Sequence, residues 1–132
     1  MCVSPGAEGQ EQAMEQEVVL RDTIFESKEE TMITCYLRYI VDPDKLEEFE
    51  TYAKMWIPLV NKFGGTHHGY FLPHEGSNNI AVALFSFPTL AAYEEYRAKA
   101  TTDAECQLAR DHYRETNCFL SYERSFMRPV LA

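Results

Sequence analysis

Apolar and polar positions along residues 32–130 change their spacing in a regular succession of strand-like and helix-like segments. Runs rich in β-branched and aromatic residues predict strands at 32–41, 66–73, 80–87 and 118–130. Apolar residues spaced three and four apart predict helices at 43–63, 90–100 and 103–117. The order, βαββαβ with two helices in the second crossover, predicts an α+β ferredoxin-like fold with an antiparallel four-stranded sheet.

The first predicted helix carries start and stop signals in addition to its apolar spacing. Asp42 can cap the helix N-terminus, and Pro43 suits the first helical position, where no backbone N–H is needed. Gly64 ends the helix, and Pro58 within it predicts a kink because proline removes one backbone donor. The apolar stripe of this helix comprises Leu46, Phe49, Ala53, Trp56, Val60 and Phe63.

Threonines precede the two predicted helices of the second crossover. Thr89 is placed to cap the helix at 90–100. Thr102, followed three residues later by Glu105, has the spacing of a capping box for the helix at 103–117. We therefore expect each of these helices to begin at its own threonine cap.

The third predicted strand is apolar on both faces, although helices can cover only one face of the sheet. One face receives Ile80, Val82 and Leu84, and the other receives Ala81, Ala83, Phe85 and Phe87. An uncovered face would expose Phe85 and Phe87 to water at about 1.5–3 kcal/mol each. We therefore expect a homodimer through sheet-to-sheet packing, with coverage by the N-terminal segment as the alternative.

The charge distribution separates the chain into two parts. The 132 residues carry a formal net charge of −9, and residues 1–31 hold eight acidic side chains against only Arg21 and Lys28. We expect residues 1–31 to be an acidic, disordered extension and residues 32–132 to form one domain. The negative net charge argues against nucleic acid and anionic membranes as partners.

Hydropathy and cysteine spacing bear on localisation. No apolar run reaches the roughly 18 residues of a membrane helix, and residues 1–17 lack the basic start and apolar stretch of a secretory signal. Cys2, Cys35, Cys106 and Cys118 are widely spaced without a C-x-x-C pair, which favours reduced thiols. We therefore expect a cytoplasmic protein that does not insert into a membrane.

Three of the four histidines lie in GGTHHGYFLPHEGSNN, residues 64–79. His67 and His68 are neighbours on a strand, so their side chains point to opposite faces and cannot share one metal ion within a subunit. His74 lies roughly 20 Å further along an extended chain, and we expect no metal site. Strict alternation places His68 on the same face as Tyr70. Either histidine is then a buried, hydrogen-bonded imidazole, or else a ligand contact or general base.

Arginines and tyrosines occur on strand faces that we expect to be half buried. Tyr36 and Arg38 share one face of the first strand, and Arg124 shares a face of the last strand with two aromatic residues. Arg38 can pair with Glu123 across the sheet, because interior cations need partners. The alternative is a pocket for a small anionic or carbonyl ligand. Trp56 either packs in the core or forms a wall of such a pocket.

Two segments, GGTHHGYFLPHEG and the closing YERSFMRP, carry a resemblance that covers residues 32–130. Here the chain resembles the small bacterial members of the NIPSNAP family, within the dimeric α+β barrel superfamily. The resemblance implies a ferredoxin-like fold, a sheet-to-sheet dimer and a ligand cleft between sheet and helices. These members have no settled reaction, and their superfamily relatives include cofactor-free monooxygenases, haem-degrading enzymes, isomerases and stress-response proteins.

We expect the protein to bind or transform a small, mostly apolar, oxygenated organic molecule in that cleft, with no cofactor. The expected ligand-binding residues are Tyr36, Arg38, Trp56, His67, His68, Tyr70 and Arg124, of which His67 and His68 are the candidates for catalysis. One alternative is a non-catalytic dimeric interaction module, since no complete catalytic motif is present. Another is haem binding or degradation, with His112 as the iron ligand and Trp56 against the porphyrin.

Overall fold

The computed structural model describes residues 31–131, so the predicted acidic extension lies outside the described residues except for its last position. Within that range the chain forms four strands and three α-helices, with a short 3-10 helix before the first of them. In chain order they are β1 (Ile33–Val41), the 3-10 helix (Pro43–Lys45), α1 (Leu46–Lys62), β2 (Thr66–Phe71), β3 (Ile80–Phe87), α2 (Leu90–Ala100), α3 (Ala104–Thr116) and β4 (Phe119–Met127).

The strands form one sheet in the order β2-β3-β1-β4, and each neighbouring pair is antiparallel. The first and last strands of the described chain are therefore neighbours: β1 lies inside the sheet, and β4 lies next to it at the edge. This order and the βαββαβ succession confirm the predicted α+β ferredoxin-like fold. The three helices cover one face of the sheet, and no helix of the described part of the chain covers the other face.

The start of α1 shows how local signals set the first crossover. The Asp42 carboxylate accepts a hydrogen bond from the Asp44 N–H at 3.0 Å, as expected for a cap, but it caps the 3-10 turn that precedes α1. α1 then continues through Pro58 to Lys62. No helix among the residues described has the length and apolarity needed to cross a membrane.

The caps of the second crossover are only partly as predicted. Thr89 caps α2, since its hydroxyl oxygen accepts from the Ala92 N–H at 3.0 Å. The capping box of Thr102 with Glu105 is wrong: the N-cap of α3 is Asp103, whose carboxylate accepts from the Cys106 N–H at 3.0 Å. The Glu105 carboxylate instead forms an ion pair with Lys62 at 3.0 Å, and this pair links α3 to α1.

The core lies between the sheet and the helices, and β3 contributes its largest side chains to it. Phe85 and Phe87 are only 5% and 1% exposed, because both point towards the helices and pack against Tyr93 and Tyr96 of α2. The expectation that these two rings need a second subunit is therefore wrong. The opposite face of β3 is nevertheless apolar, and it carries the half-buried side chains Ile80, Val82 and Leu84.

A β-bulge in β2 changes which side chains share a face. The pairing of β2 with β3 slips by one residue between His67 and Gly69, and Gly69 adopts a φ of +117°, which glycine tolerates without strain. As a result His67 and Tyr70 both point towards the helices, with their rings stacked 5.0 Å apart. His68 points to the opposite face, where its Nε2 contacts the Ser86 hydroxyl at 2.8 Å. The strict alternation assumed for this strand, which paired His68 with Tyr70, is wrong.

Gly65 provides a test of how tightly α1 packs on the sheet. A Cβ at this position would lie 2.7 Å from a ring carbon of Phe87 and 2.8 Å from a methyl group of Val60. We predict that Gly65→Ala lowers the free energy of unfolding by about 1–3 kcal/mol, because the buried layer would have to shift.

Denaturant unfolding would measure this, with Gly76→Asn as the control in the exposed turn before β3. No atom lies within 4 Å of a Cβ built on Gly76, and Asn tolerates positive φ better than other residues. Equal losses in the two variants would contradict tight packing at Gly65.

Candidate functional site

A cavity of about 440 Å³ lies between the sheet and the helices. All three helices and all four strands contribute to it. Its wall consists mainly of aromatic side chains, with arginine, histidine and threonine among them, and no aspartate or glutamate of residues 31–131 lines it. The lining residues are Leu37, Tyr39, Tyr52, Trp56, Val60, His67, Tyr70, Phe85, Tyr93, Tyr96, Arg97, Ala100, Thr101, Gln107, Arg110, Tyr122 and Arg124.

A row of four rings links one side of the cavity to the other. Tyr70 stacks on His67 at 5.0 Å, and the His67 ring lies 5.5 Å from Phe85. Phe85 in turn stacks on Tyr93 at 6.3 Å with only 22° between the ring planes. The centroids of His67 and Tyr93 are therefore no more than about 12 Å apart. This row gives the cavity a continuous aromatic wall against which a bound ring can pack.

The tautomer of His67 follows from the backbone of the β-bulge. The Gly69 N–H donates to His67 Nδ1 at 2.9 Å, so Nδ1 carries no proton and the neutral ring carries its proton on Nε2. His67 Nε2 is buried and has no hydrogen-bond partner within residues 31–131. Burial, with a smaller contribution from His68, lowers the pKa of His67 to about 4. His67 is therefore a neutral hydrogen-bond donor at physiological pH, and this argues against the general-base role.

Trp56 is a second donor on the cavity wall. Its Nε1 is also buried without a hydrogen-bond partner in the described part of the chain. The Tyr52 hydroxyl lies close to this group. Burial raises the pKa of Tyr52, and Trp56 lowers it by a smaller amount. The Trp56 N–H and the Tyr52 hydroxyl do not, however, have hydrogen-bond geometry. Two buried N–H groups thus lack the partners that such groups normally have.

Two arginines converge on one phenol at the other side of the cavity. Arg97 and Arg124 donate to the Tyr93 hydroxyl oxygen at 2.8 and 2.7 Å, which brings their donating nitrogens within about 5.5 Å of each other. At that separation two positive charges repel by roughly 1–3 kcal/mol. Burial alone would lower the pKa of Arg124, but Tyr93 and Tyr122 outweigh this and raise it. The Arg124 guanidinium therefore remains charged.

Arg110 adds a third positive charge to the same cavity. Its guanidinium donates to the Gln107 side-chain oxygen at 3.0 Å and to the Thr101 carbonyl at 3.5 Å. In the range 31–131, none of Arg97, Arg110 and Arg124 forms an ion pair with a carboxylate. Among the described residues, the cavity therefore holds three cationic groups without a compensating acid on its wall.

The structure brings four of the seven predicted ligand-binding residues together in this cavity, namely Trp56, His67, Tyr70 and Arg124. The other three, Tyr36, Arg38 and His68, have partners in the sheet register that place them on the opposite face. Arg38 is opposite Glu123, and their side chains form an ion pair at 4.0 Å, as expected for the cross-strand alternative. Because both side chains are exposed, this pair contributes little to stability.

Sequence reasoning missed Tyr93, Arg97 and Arg110, which lie in the second crossover. Tyr93 and Arg97 are four residues apart on α2, and this spacing puts them on one face of the helix. The sequence signal for Arg97 was therefore its position one helical turn after Tyr93, an aromatic residue expected to be buried. The position of Arg110 was not accessible in this way, because the packing of α3 beside α2 decides whether it reaches the cavity.

His112 does not lie among the residues that line the cavity. Its Nε2 donates to the Glu48 carbonyl at 2.9 Å, which links α3 to α1. The ring nitrogen that would have to ligate iron is therefore used inside the helical layer, and His112 does not fit the haem alternative. Within the described residues, no group of three His, Cys, Asp or Glu side chains could hold a metal ion.

The fold and the cleft together define an α+β ferredoxin-like protein with a cavity between its sheet and its helices. The model of the NIPSNAP family matches residues 36–131, and the chain therefore belongs to the NIPSNAP family. No curated protein matches the chain.

Solved structures with the same fold include proteins from several bacteria. A NIPSNAP family protein with unknown function from Agrobacterium tumefaciens is 20% identical, with a TM-score of 0.65 over 75% of this chain and 88% of its own. An uncharacterized NIPSNAP-like domain protein from Burkholderia xenovorans is also 20% identical, with a TM-score of 0.62 over 76% and 86%. A putative antibiotic biosynthesis monooxygenase from Nitrosomonas europaea is 12% identical, with a TM-score of 0.60 over 75% and 99%.

The lowered pKa of His67 predicts a pH dependence of stability. The unfolded chain, with the ordinary pKa of 6.5, binds a proton that the folded chain binds only near pH 4. The contribution of the neutral His67 to the free energy of unfolding is therefore fully present above pH 6.5 and is lost as the pH falls towards 4. We predict that the free energy of unfolding decreases by roughly 1–2 kcal/mol over this pH range, allowing for solvent screening.

Urea unfolding at a series of pH values would measure the loss. Because phenylalanine keeps a ring and does not titrate, His67→Phe should flatten the profile, and His74→Phe in the exposed turn is the matched control. Proton–nitrogen NMR spectra should show His67 as the neutral tautomer with its proton on Nε2. A profile that is unchanged in His67→Phe would contradict the assignment.

Proposed function

We propose that this protein binds a small oxygenated organic molecule in the cavity between its sheet and its helices. The observation that carries the proposal is the pair of buried, unpartnered N–H groups, His67 Nε2 and Trp56 Nε1, on the wall of a 440 Å³ cavity. An oxygen atom of a ligand would satisfy either donor. The volume is within the range of small-molecule pockets, and the wall has their usual mixture of aromatic surface and a few polar groups.

The chemistry of the lining favours binding and polarisation over proton abstraction. His67 is a neutral donor, and a fixed neutral imidazole can polarise a carbonyl group without exchanging a proton. Burial raises the pKa of the Cys35 thiol to about 11 and also raises the pKa of Tyr70 and Tyr96, so these groups stay protonated near neutral pH. A transformation in this cavity would therefore rely on His67 and the arginines as electrophilic groups.

Enzymatic activity would be consistent with one solved relative, whose name describes a putative antibiotic biosynthesis monooxygenase. The cavity of the present protein could position an aromatic substrate for such a reaction, since it combines stacked rings with donors for oxygen atoms. The alternative of a non-catalytic interaction module is weaker, because such a module would not require two buried donors without partners.

We further propose that the sheet face without helices forms a homodimer. This face carries Ile80, Val82 and Leu84 on β3, next to Tyr36 and Ile40 on the neighbouring strand. Exposed apolar residues extend it at the sheet edges, with Phe71 at 53% and Met127 at 48% exposure. The exposed Arg38–Glu123 ion pair adjoins these apolar residues on the same face. Apolar side chains grouped beside a polar pair in this way are usual for an interface.

The cysteines support a proposal of cytoplasmic location. Cys35, Cys106 and Cys118 are buried free thiols in the described residues, and burial is the main reason that the pKa of each is raised. Thiols that stay protonated are slow to oxidise, and free thiols are typical of a reducing compartment.

Fluorescence of the single tryptophan, Trp56, would test ligand binding directly because this residue lines the cavity. We predict that a panel of aromatic ketones, acids and phenols contains compounds that change the emission saturably. His67→Phe should weaken a ketone that binds by roughly twofold to tenfold, as expected for one neutral hydrogen bond. His68→Phe makes the same change one residue away on the opposite face and should leave the affinity unaltered. The absence of saturable binding to the folded protein would refute the proposal.

Sedimentation would test the dimer independently of any ligand. We predict a dimer for the wild-type chain at micromolar concentration, and a monomer for Val82→Arg, because a second positive charge opposite Arg38, whose carboxylate partner is Glu123, could not be buried without a partner of its own. Leu108→Arg, an equivalent change at an exposed position of α3, should leave the dimer intact. A wild-type monomer would contradict the interface.

A further inference from the structure

We propose that the ligand is an aromatic carboxylate, with its carboxylate at Arg97 and Arg124 and a second oxygen that accepts from His67 Nε2. This inference rests on the proposed function, because it assigns a chemical class to the molecule in the same cavity. It follows from what stands at each end of the cavity and from the row of rings that joins the two ends.

The arginine end is built for an anion that is not part of the chain. Arg97 and Arg124 both donate to the Tyr93 hydroxyl, so one neutral oxygen holds two cations together. Each guanidinium has five N–H donors, and the described contacts of these two use only a few of them. Because no acid of the described chain lines the cavity, an incoming carboxylate would relieve the repulsion and use the remaining donors.

The opposite end needs an acceptor and not a second anion. His67 presents one neutral donor, with its tautomer fixed by the Gly69 N–H. A carbonyl or ether oxygen matches such a donor, and it does not bring a second charge into a cavity wall that is aromatic at this side. The ligand is therefore asymmetric, with its charge at one end and a neutral oxygen at the other.

The rings between the two ends indicate the body of the ligand. His67, Phe85 and Tyr93 form a continuous row, and the first and last centroids are no more than about 12 Å apart. A single benzene ring with substituents in para positions is short enough to lie within this upper limit and can pack against the row. Inorganic phosphate would engage the arginines but would leave the rings and His67 without a partner.

Three probes of similar shape separate these contributions. Para-acetylbenzoate has both the carboxylate and the acceptor oxygen. Para-acetylbenzamide lacks the charge, and para-isopropylbenzoate lacks the acceptor. Their dissociation constants would be measured by Trp56 fluorescence and by calorimetry with the full chain, at low and high salt. Inorganic phosphate would be added as a competitor.

The variants are chosen to remove one contact each. Arg97→Gln changes an exposed side chain that lines the cavity, so the variant should fold normally, and Arg124→Gln is the equivalent change at a half-buried arginine. We expect each to weaken para-acetylbenzoate about tenfold and to change para-acetylbenzamide by less than about twofold. His67→Phe should weaken both acetyl compounds and leave para-isopropylbenzoate unaltered. Arg114→Gln, which removes an exposed arginine paired with Asp111, is the charge-matched control.

The outcomes distinguish this inference from the proposed function. If neutral molecules bind and the arginine variants do not discriminate between para-acetylbenzoate and its amide, the carboxylate assignment is wrong while the ligand cavity stands. If phosphate displaces para-acetylbenzoate at equal concentration, the aromatic body is irrelevant and the assignment is also wrong. If no compound of any class binds to the folded protein, both proposals are wrong. Weaker para-acetylbenzoate binding at high salt, together with the expected variant pattern, supports the carboxylate.

Discussion

One backbone hydrogen bond determines the chemistry of the cavity. The bulge in β2 lets the Gly69 N–H donate to His67 Nδ1. Gly69 adopts the required positive φ without strain, because glycine has no Cβ. The same bulge turns the His67 ring towards the helices and places the ring proton on Nε2. Without it, strict alternation would bring His68 to the cavity side of Tyr70 and would leave the tautomer free. The identity of the donor therefore depends on a break in the regular sheet.

The second constraint is electrostatic, and it concerns Tyr93. Its hydroxyl accepts from Arg97 and Arg124, so two elements distant in sequence, α2 and β4, bring like charges together across one oxygen. A protein that used these arginines only for stability would be expected to pair them with carboxylates, as it does with Lys62 and Glu105. Because no acid within residues 31–131 lines the cavity, the positive charge stays available.

The sequence was sufficient for the fold because several independent signals agree on it. Strand and helix periodicities, the Asp42 and Thr89 caps and the apolar β3 all indicate the same βαββαβ order. The site was only partly accessible. The positions of Trp56 and Arg124 could be predicted from the regular spacing of residues along a helix and along a strand. His67 could not be assigned to the cavity, because one extra residue in a strand reverses the faces of all residues after it. Arg97 and Arg110 depend on how two helices pack, which local pattern does not specify.

The reversal at the bulge also separates the two proposed interactions of the sheet. His67 and Tyr70 serve the cavity, whereas His68 joins the hydroxyls of Ser86 and Thr34 on the other face. Neighbouring residues thus contribute to two surfaces with a sheet between them. A substitution on the open face, such as one at Val82, changes no side chain in the cavity. The proposed ligand binding and the proposed self-association would therefore be physically separable in this fold, and a coupling between them would have to pass through the backbone of β2 or β3.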